Sequence, residues 1–193
     1  MKQPLFFLFL HQSLLIQFIM LKNANIWLRA LEVEDIELLY KWENDQTLWH
    51  LSNTSKPFSK YVLEQYILNS HLDIYEFKQL RLMIVLKNKK SETAVGCIDL
   101  FDFDPTNLRA GVGLFIDETY RNKNIGSKAL NILKDYCSAS LKLNQLYCSI
   151  TTDNKASIIV FEKQGFICTG KRIKWIRKGK KWLDELFYQY LFK

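Results

Sequence analysis

The chain is poor in the residues that build metal centres, cross-links and low-complexity folds. Its 193 residues include three histidines, with no metal-ligand spacing among them, so no metal site is expected. Four cysteines, Cys97, Cys137, Cys148 and Cys168, lie far apart without a CxxC pair and read as buried free thiols of a reducing cytoplasm. With three prolines and seven glycines, collagen and Pro-rich linkers are excluded, and no internal repeat interrupts the chain. What is present is an ordinary globular balance, 48% hydrophobic and 24% charged. The net charge of +7 suits an anionic ligand. It is spread along the chain without a recognised nucleic-acid module, so a nucleic-acid partner is not expected.

One long apolar stretch stands apart. Residues 4–21, PLFFLFLHQSLLIQFIML, approach the length of about 20 residues that spans a bilayer, but His11, Gln12, Ser13 and Gln17 interrupt them. Only Lys2 forms a positive flank, and no small-x-small cleavage site follows. Three readings are open for residues 1–20: an extension translated only from a misassigned start upstream of Met20, a peripheral packing or membrane-surface helix, or an anchor or signal. The first is preferred, and a membrane association is not expected. One domain is expected over residues 21–193.

From Ile26 the pattern alternates between strand and helix signals. Ile26–Leu31 reads as a strand and Glu34–Asn44 as a helix carrying Ile36, Leu39, Tyr40 and Trp42. Trp49–Pro57 reads as a loop. Ser59 is placed to cap a helix running to Asn69, with an apolar face that includes Val62, Tyr66 and Ile67. Leu80–Leu86, Ala94–Phe103 and Arg109–Ile116 read as strands. Ile125, Ala129, Ile132, Leu133, Tyr136 and Cys137 form a helical stripe, and Leu146, Cys148 and Ile150 alternate as in a strand. Asp153 or Asn154 opens a further helix that Gly165 ends. Phe166–Ile176 and Trp182–Phe192 form a hairpin about Lys178-Gly179-Lys180. The cation-rich run 171–181 reads either as attraction for an acidic partner group or as a strand edge guarded by charge.

Chemistry concentrates where strand, turn and helix meet, in GVGLFIDETYRNKNIGSKAL. The first turn of a helix carries unpaired N–H groups and the positive end of the dipole, which suits a phosphate or pyrophosphate. Arg121 and Lys123 add charge, Ser127 offers a hydroxyl, and Gly126 allows close approach.

The run RNKNIG resembles the pyrophosphate loop of the GNAT acetyltransferases, [R/Q]-x-x-G-x-[G/A]. Arg121 and Gly126 match its ends, while Asn124 stands at the usual first glycine. Downstream, NKASIIVFEKQGF resembles a second family segment through Asn154, Ser157, Glu162, Gly165 and Phe166. The final WLDELFYQYLF is similar to the closing strand of the branch holding ribosomal-protein N-terminal and spermidine acetyltransferases. Together the resemblance covers about residues 26–193. It implies an α/β (α+β) GNAT fold: a splayed, mostly antiparallel sheet of about seven strands with about four helices.

It also implies acetyl-CoA as cosubstrate, without a metal, and an amine as acceptor, with a homo-oligomer allowed. Leu114, Phe115 and Ile116 would pair with the pantetheine amides. The loop of Arg121, Asn122, Lys123, Asn124, Ile125, Gly126 and Ser127 would wrap the pyrophosphate, and Asn154 would bond near the pantetheine arm. The usual proton-donor tyrosine falls at Phe161, which has no hydroxyl. Among Tyr136, Tyr147, Tyr188 and Tyr190, Tyr188 is preferred as a replacement, and water or the acceptor's own ammonium is an alternative. Glu34, Glu43, Asp45, Asp99, Asp102 and Asp117 are candidates for the base, with Glu43 and Asp99 preferred. The function expected is transfer of an acetyl group to a small amine such as a polyamine or amino sugar. The alternatives are acetylation of a protein N-terminus and a CoA-binding module with little turnover.

Overall fold

The structure, a computed structural model, describes residues 21–193 except 24, 53, 71, 89 and 90. The readings of residues 1–20 therefore fall outside the described residues. Eight strands form a single sheet in the order β1-β2-β3-β4-β5-β6-β8-β7. In sequence they are β1 (Lys22–Asn23), β2 (Ile26–Arg29), β3 (Leu80–Asn88), β4 (Ser91–Asp104), β5 (Arg109–Ile116), β6 (Gln145–Thr151), β7 (Ile167–Lys178) and β8 (Lys181–Leu191). All neighbours are antiparallel except β5 and β6, which are parallel. Six α-helices are described: α1 (Ile36–Glu43), α2 (Trp49–Ser52), α3 (Lys60–Asn69), α4 (Ile74–Phe77), α5 (Ile125–Ala139) and α6 (Lys155–Lys163).

The sheet separates two apolar layers. On one face, α5 lays Ile125, Ala129, Ile132, Leu133, Tyr136 and Cys137 on the buried side chains Ile84, Ile98 and Val112, as its 3.6-residue stripe requires. On the other, Leu39 and Trp42 of α1 and Leu63 and Ile67 of α3 cover Met83, Val85 and Cys97. The Ser59 cap forms as expected, its Oγ accepting from the Val62 N–H. The buried position beside that cap is Leu63, however, and Val62 is 48% exposed.

Two helices and one strand exceed the expected count. α2 forms within a segment expected to be a loop, while α4 and β1 arise where no element was anticipated. Each is four residues or fewer, too short for a hydrophobic period to register. The cysteine expectation fails at one site. Cys97, Cys137 and Cys148 are buried and free, but Cys168 is exposed, because β7 is the outer strand of the sheet. That same edge carries the cation-rich run. Lys171, Arg172 and Lys178 are paired there with Asp184, Glu185 and Asp153, consistent with a charged, guarded edge.

Candidate functional site

The site begins with a broken pairing. β5 and β6 bond to each other only from Arg109↔Gln145 through Gly111↔Tyr147, and beyond that point the two strands diverge. On the far side β5 stays paired with β4 as far as Gly96↔Ile116. The Asp117 N–H donates to the Val95 carbonyl at 2.9 Å, which fixes the phase of that ladder. Peptide groups of an antiparallel strand alternate in direction. Phe115 and Gly113 therefore bond toward β4, and Val112 still bonds β6 through its N–H at the last β5–β6 bridge, while Leu114 and Ile116 turn their peptide groups into the opening. This corrects one expectation: the Phe115 backbone is spent on the sheet. Its ring packs against Trp42, centroids 5.1 Å apart, on the opposite side from α5.

At the end of β5 lies the basic turn. Asn122 and Asn124 both occupy the left-handed region, at φ +61° and +57°. Asparagine tolerates that conformation better than other non-glycine residues, so Asn124 takes the backbone role usually given to glycine. The first helical bond of α5 runs from the Lys128 N–H to the Asn124 carbonyl (3.3 Å), so the amides of Ile125, Gly126 and Ser127 precede it. Arg121 is exposed and donates from Nε to the Ile116 carbonyl at 3.0 Å. Lys123 Nζ donates to the Thr119 carbonyl at 3.0 Å and lies over the Tyr120 ring. Ser127, expected to offer a hydroxyl, is buried. Gly126 is also buried. A Cβ there would meet Leu114 Cδ2 at 3.1 Å, and Ile116 and Val160 side-chain carbons at 3.8 Å. Its small size thus serves the close seating of α5 against β5 and α6.

α6 forms the other wall. Asn154 caps it, its Oδ1 accepting from the Ser157 N–H at 3.2 Å. Asn154, Ser157 and Phe161 line a cavity of about 770 Å³ that runs through the opening. Phe161 is 3% exposed and packs edge-on against Phe166, with centroids 5.0 Å apart, so its ring belongs both to the core and to the cavity wall. The structure places Tyr188 elsewhere. Strand alternation sends Glu185 and Phe187 of β8 to the cavity, and Tyr188 to the α6 side of the sheet. There the Tyr188 hydroxyl donates to Glu162 Oε1 at 2.9 Å. Burial and then this carboxylate push its pKa up to about 12. Such a hydroxyl is outside the cavity and a weak acid at neutral pH. Tyr147 does line the cavity, its ring beside Phe101 and Phe187.

In the cavity wall beside Gly113 of β5 the two preferred carboxylates come together. Glu43 ends α1, Asp99 lies in β4, and Arg81 of β3 joins them. Arg81 donates from Nε and Nη2 to Asp99 Oδ1 and Oδ2, at 2.7 and 3.0 Å, and from Nη1 to Glu43 Oε1. The cavity lining as a whole counts Glu43, Asp99, Asp102 and Glu185 against Arg81 and Arg172, an excess of negative charge. The remaining candidates lie outside this lining. Glu34 sits in a short 3-10 turn before α1. Asp45 accepts from Thr47. Asp117 is buried under the Trp42 indole N–H, Thr119 and Lys41, and these bonds hold its carboxyl well below the usual range. It fastens α1 to the end of β5.

Sequence reasoning missed Arg81. The available signal was a lone charge in the apolar run LRLMIVL, since a cation in a buried strand needs a partner. The described residues contain no group of three or more His, Cys, Asp and Glu side chains able to hold a metal ion, and none of their helices is long and apolar enough to cross a membrane.

Comparison with known proteins agrees with this geometry. The acetyltransferase (GNAT) domain family matches residues 25–167. The probable N-acetyltransferase YjcK of Bacillus subtilis (strain 168) is 28% identical over 182 residues, covering 86% of this chain and 93% of its own. Among solved structures, the spermidine N-acetyltransferase of Vibrio cholerae in complex with CoA and spermine superposes with a TM-score of 0.78 at 18% identity, covering 88% of this chain and 96% of that one. The ribosomal L7/L12 alpha-N-protein acetyltransferase RimL, bound to coenzyme A, gives a TM-score of 0.74 at 17% identity, over 88% and 95% of the two chains. The fold expected from the sequence is thus found, and the chain belongs to the GNAT family of acetyltransferases.

Proposed function

We propose that the protein is an N-acetyltransferase that moves the acetyl group of acetyl-CoA to a small cationic amine, such as a polyamine or amino sugar. The observation that carries this reading is a carboxylate-rich cavity in the β5–β6 opening, on the strand that leads to the basic turn. β5 lines this cavity through Phe115 and leads on to a basic turn with free amides, while the cavity lining carries four carboxylates against two guanidinium groups. A pyrophosphate suits the first and an ammonium the second.

In this reading the Leu114 carbonyl and the Ile116 N–H pair with the pantetheine amides. The turn Arg121–Ser127 holds the pyrophosphate, with Asn154 beside the arm. The acceptor enters as an ammonium, whose pKa of about 10.4 for an alkylamine leaves little free base at neutral pH. Glu43 takes one proton, and the nitrogen attacks the thioester carbonyl carbon. A backbone N–H of the β5 edge at Leu114 stabilises the oxyanion. Collapse breaks the C–S bond, and the second nitrogen proton passes to the thiolate, directly or through water. Phe161 takes no part in that transfer, and a thiol with a pKa of about 8.5 leaves without an obligatory acid. The Glu43 proton then returns to solvent, which balances the reaction.

A screen of acetyl-CoA consumption tests the reading, using spermidine, 1,4-diaminobutane, glucosamine, free amino acids and peptides with free N-termini. Faster turnover of the polyamines or the amino sugar than of peptides is expected. Turnover of peptides alone would assign the cavity to protein N-termini, and acetyl-CoA binding without turnover would leave a binding module.

A further inference from the structure

We infer that Arg81 is a positioning residue for the acceptor amine: Asp99 fixes its guanidinium from β4, and Arg81 in turn fixes Glu43 so that one Glu43 oxygen remains for the ammonium proton. The inference rests on the function proposed above and assigns unequal roles to the two carboxylates.

The geometry is asymmetric. Arg81 and Asp99 stand directly opposite each other across β3 and β4. Two parallel N–H···O bonds make the pair bidentate and engage both Asp99 oxygens. Glu43 receives a single bond, from Nη1 to Oε1. One guanidinium charge set against two carboxylates leaves one negative charge in the cluster, and the group bonded through one oxygen is the one able to accept a proton. The three side chains are only 16–21% exposed, so solvent screens them weakly.

The surroundings hold this arrangement in place. The Tyr66 ring lies against the Arg81 guanidinium, 5.4 Å from its centroid, and Gln79 Nε2 donates to the Tyr66 hydroxyl at 3.1 Å. Below, a Cβ on Gly113 would stand 3.3 Å from Asp99 Oδ2. The bare backbone of β5 therefore lets the cluster lie against the strand that borders the opening. A lysine at position 81 keeps the charge but has no planar fork, so it cannot hold both carboxylates in this relation.

The test uses whichever of spermidine, 1,4-diaminobutane and glucosamine the wild-type protein acetylates fastest. Arg81→Ala is expected to lower kcat about 10–100-fold, while the affinity for acetyl-CoA stays within about twofold of wild type. Guanidinium chloride at millimolar concentration should restore activity several-fold, and sodium chloride at equal concentration should not. Arg81→Lys, which retains the charge if the alanine variant does not fold, should lower kcat at unchanged thermal stability. Glu43→Gln should be inactive and insensitive to guanidinium. Arg81→Lys with wild-type kcat overturns the inference. So does an Arg81→Ala loss that guanidinium leaves untouched in a protein with normal acetyl-CoA affinity. A wild-type protein that binds acetyl-CoA but acetylates none of the three amines overturns the functional reading together with the inference, an outcome distinct from an active enzyme indifferent to Arg81.

Discussion

Single residues in this protein often do a different task from the one their type suggests. Asn124 does the work of a glycine, at φ +57°. A β-branched residue there meets the strain of the left-handed region, roughly 1–2 kcal/mol. Asn124→Val is therefore expected to weaken acetyl-CoA binding, while Asn124→Gly keeps it within about twofold; isothermal titration with acetyl-CoA reads both. Gly126 was legible in the sequence as a required glycine, but its reason was not. The sequence suggests room for a ligand, whereas the structure gives packing against Leu114, Ile116 and Val160. Gly126→Val should lower the melting temperature as well as the affinity. Loss of affinity at full stability would return the position to ligand contact alone.

Asp117 is a second case, an acid read from the sequence as a candidate base that instead acts as a structural acceptor. Asp117→Ala leaves the Trp42 indole N–H buried without its partner and is expected to cost about 2–3 kcal/mol near neutral pH. The folded pKa of Asp117 is depressed, chiefly by the Trp42 bond. Its contribution is therefore fully present above the unfolded value of about 3.9 and is lost as pH falls below it. Denaturant unfolding at pH 7 and pH 3 should show the gap between wild type and variant narrowing on the acid side. A gap that widens there would contradict the assignment.

At the scale of elements, long and periodic segments were legible and short or long-range ones were not. α5 could be read from its stripe, and β5 was placed from Arg109 to Ile116. The helices α2 and α4, four residues each, lack a full hydrophobic repeat. The insertion of β8 between β6 and β7 depends on pairings between segments remote in sequence. Likewise, Glu43 and Asp99 could be singled out as carboxylates near the acceptor end. That one arginine from β3 joins them is tertiary information. Which β5 residues face the opening is settled by the phase of the β4 ladder. Amide hydrogen exchange checks that phase residue by residue. Leu114 and Ile116 should exchange quickly in the free protein and slow on addition of acetyl-CoA, whereas Gly113 and Phe115 should be protected in both states. Equal protection of all four in the free protein would place the phase elsewhere.

For the whole molecule, the described fold begins at Leu21, whose carbonyl accepts from the Leu28 N–H at 2.9 Å and whose side chain packs on the larger core. A chain shortened to start at Met20 is expected to unfold cooperatively and to bind acetyl-CoA as the full chain does, checked by calorimetry and titration. Loss of the cooperative transition would mean that the first residues belong to the core. Strand β5 connects two features that sequence reading treats separately, the basic turn that follows it and the carboxylate-rich cavity it lines. In the proposed function, this connection is what brings the two bound molecules together.

The most direct measurement of that account is the steady-state release of CoA thiol by the wild type and by Glu43→Gln, with acetyl-CoA and, in turn, spermidine, 1,4-diaminobutane and glucosamine. The account predicts saturable, amine-dependent release by the wild type with at least one of the three. It also predicts a Glu43→Gln protein that binds acetyl-CoA within about twofold of wild type but turns over at least about 10²-fold more slowly. Equal rates in the two proteins, or a wild type that holds acetyl-CoA and releases no thiol with any of the three amines, would contradict it.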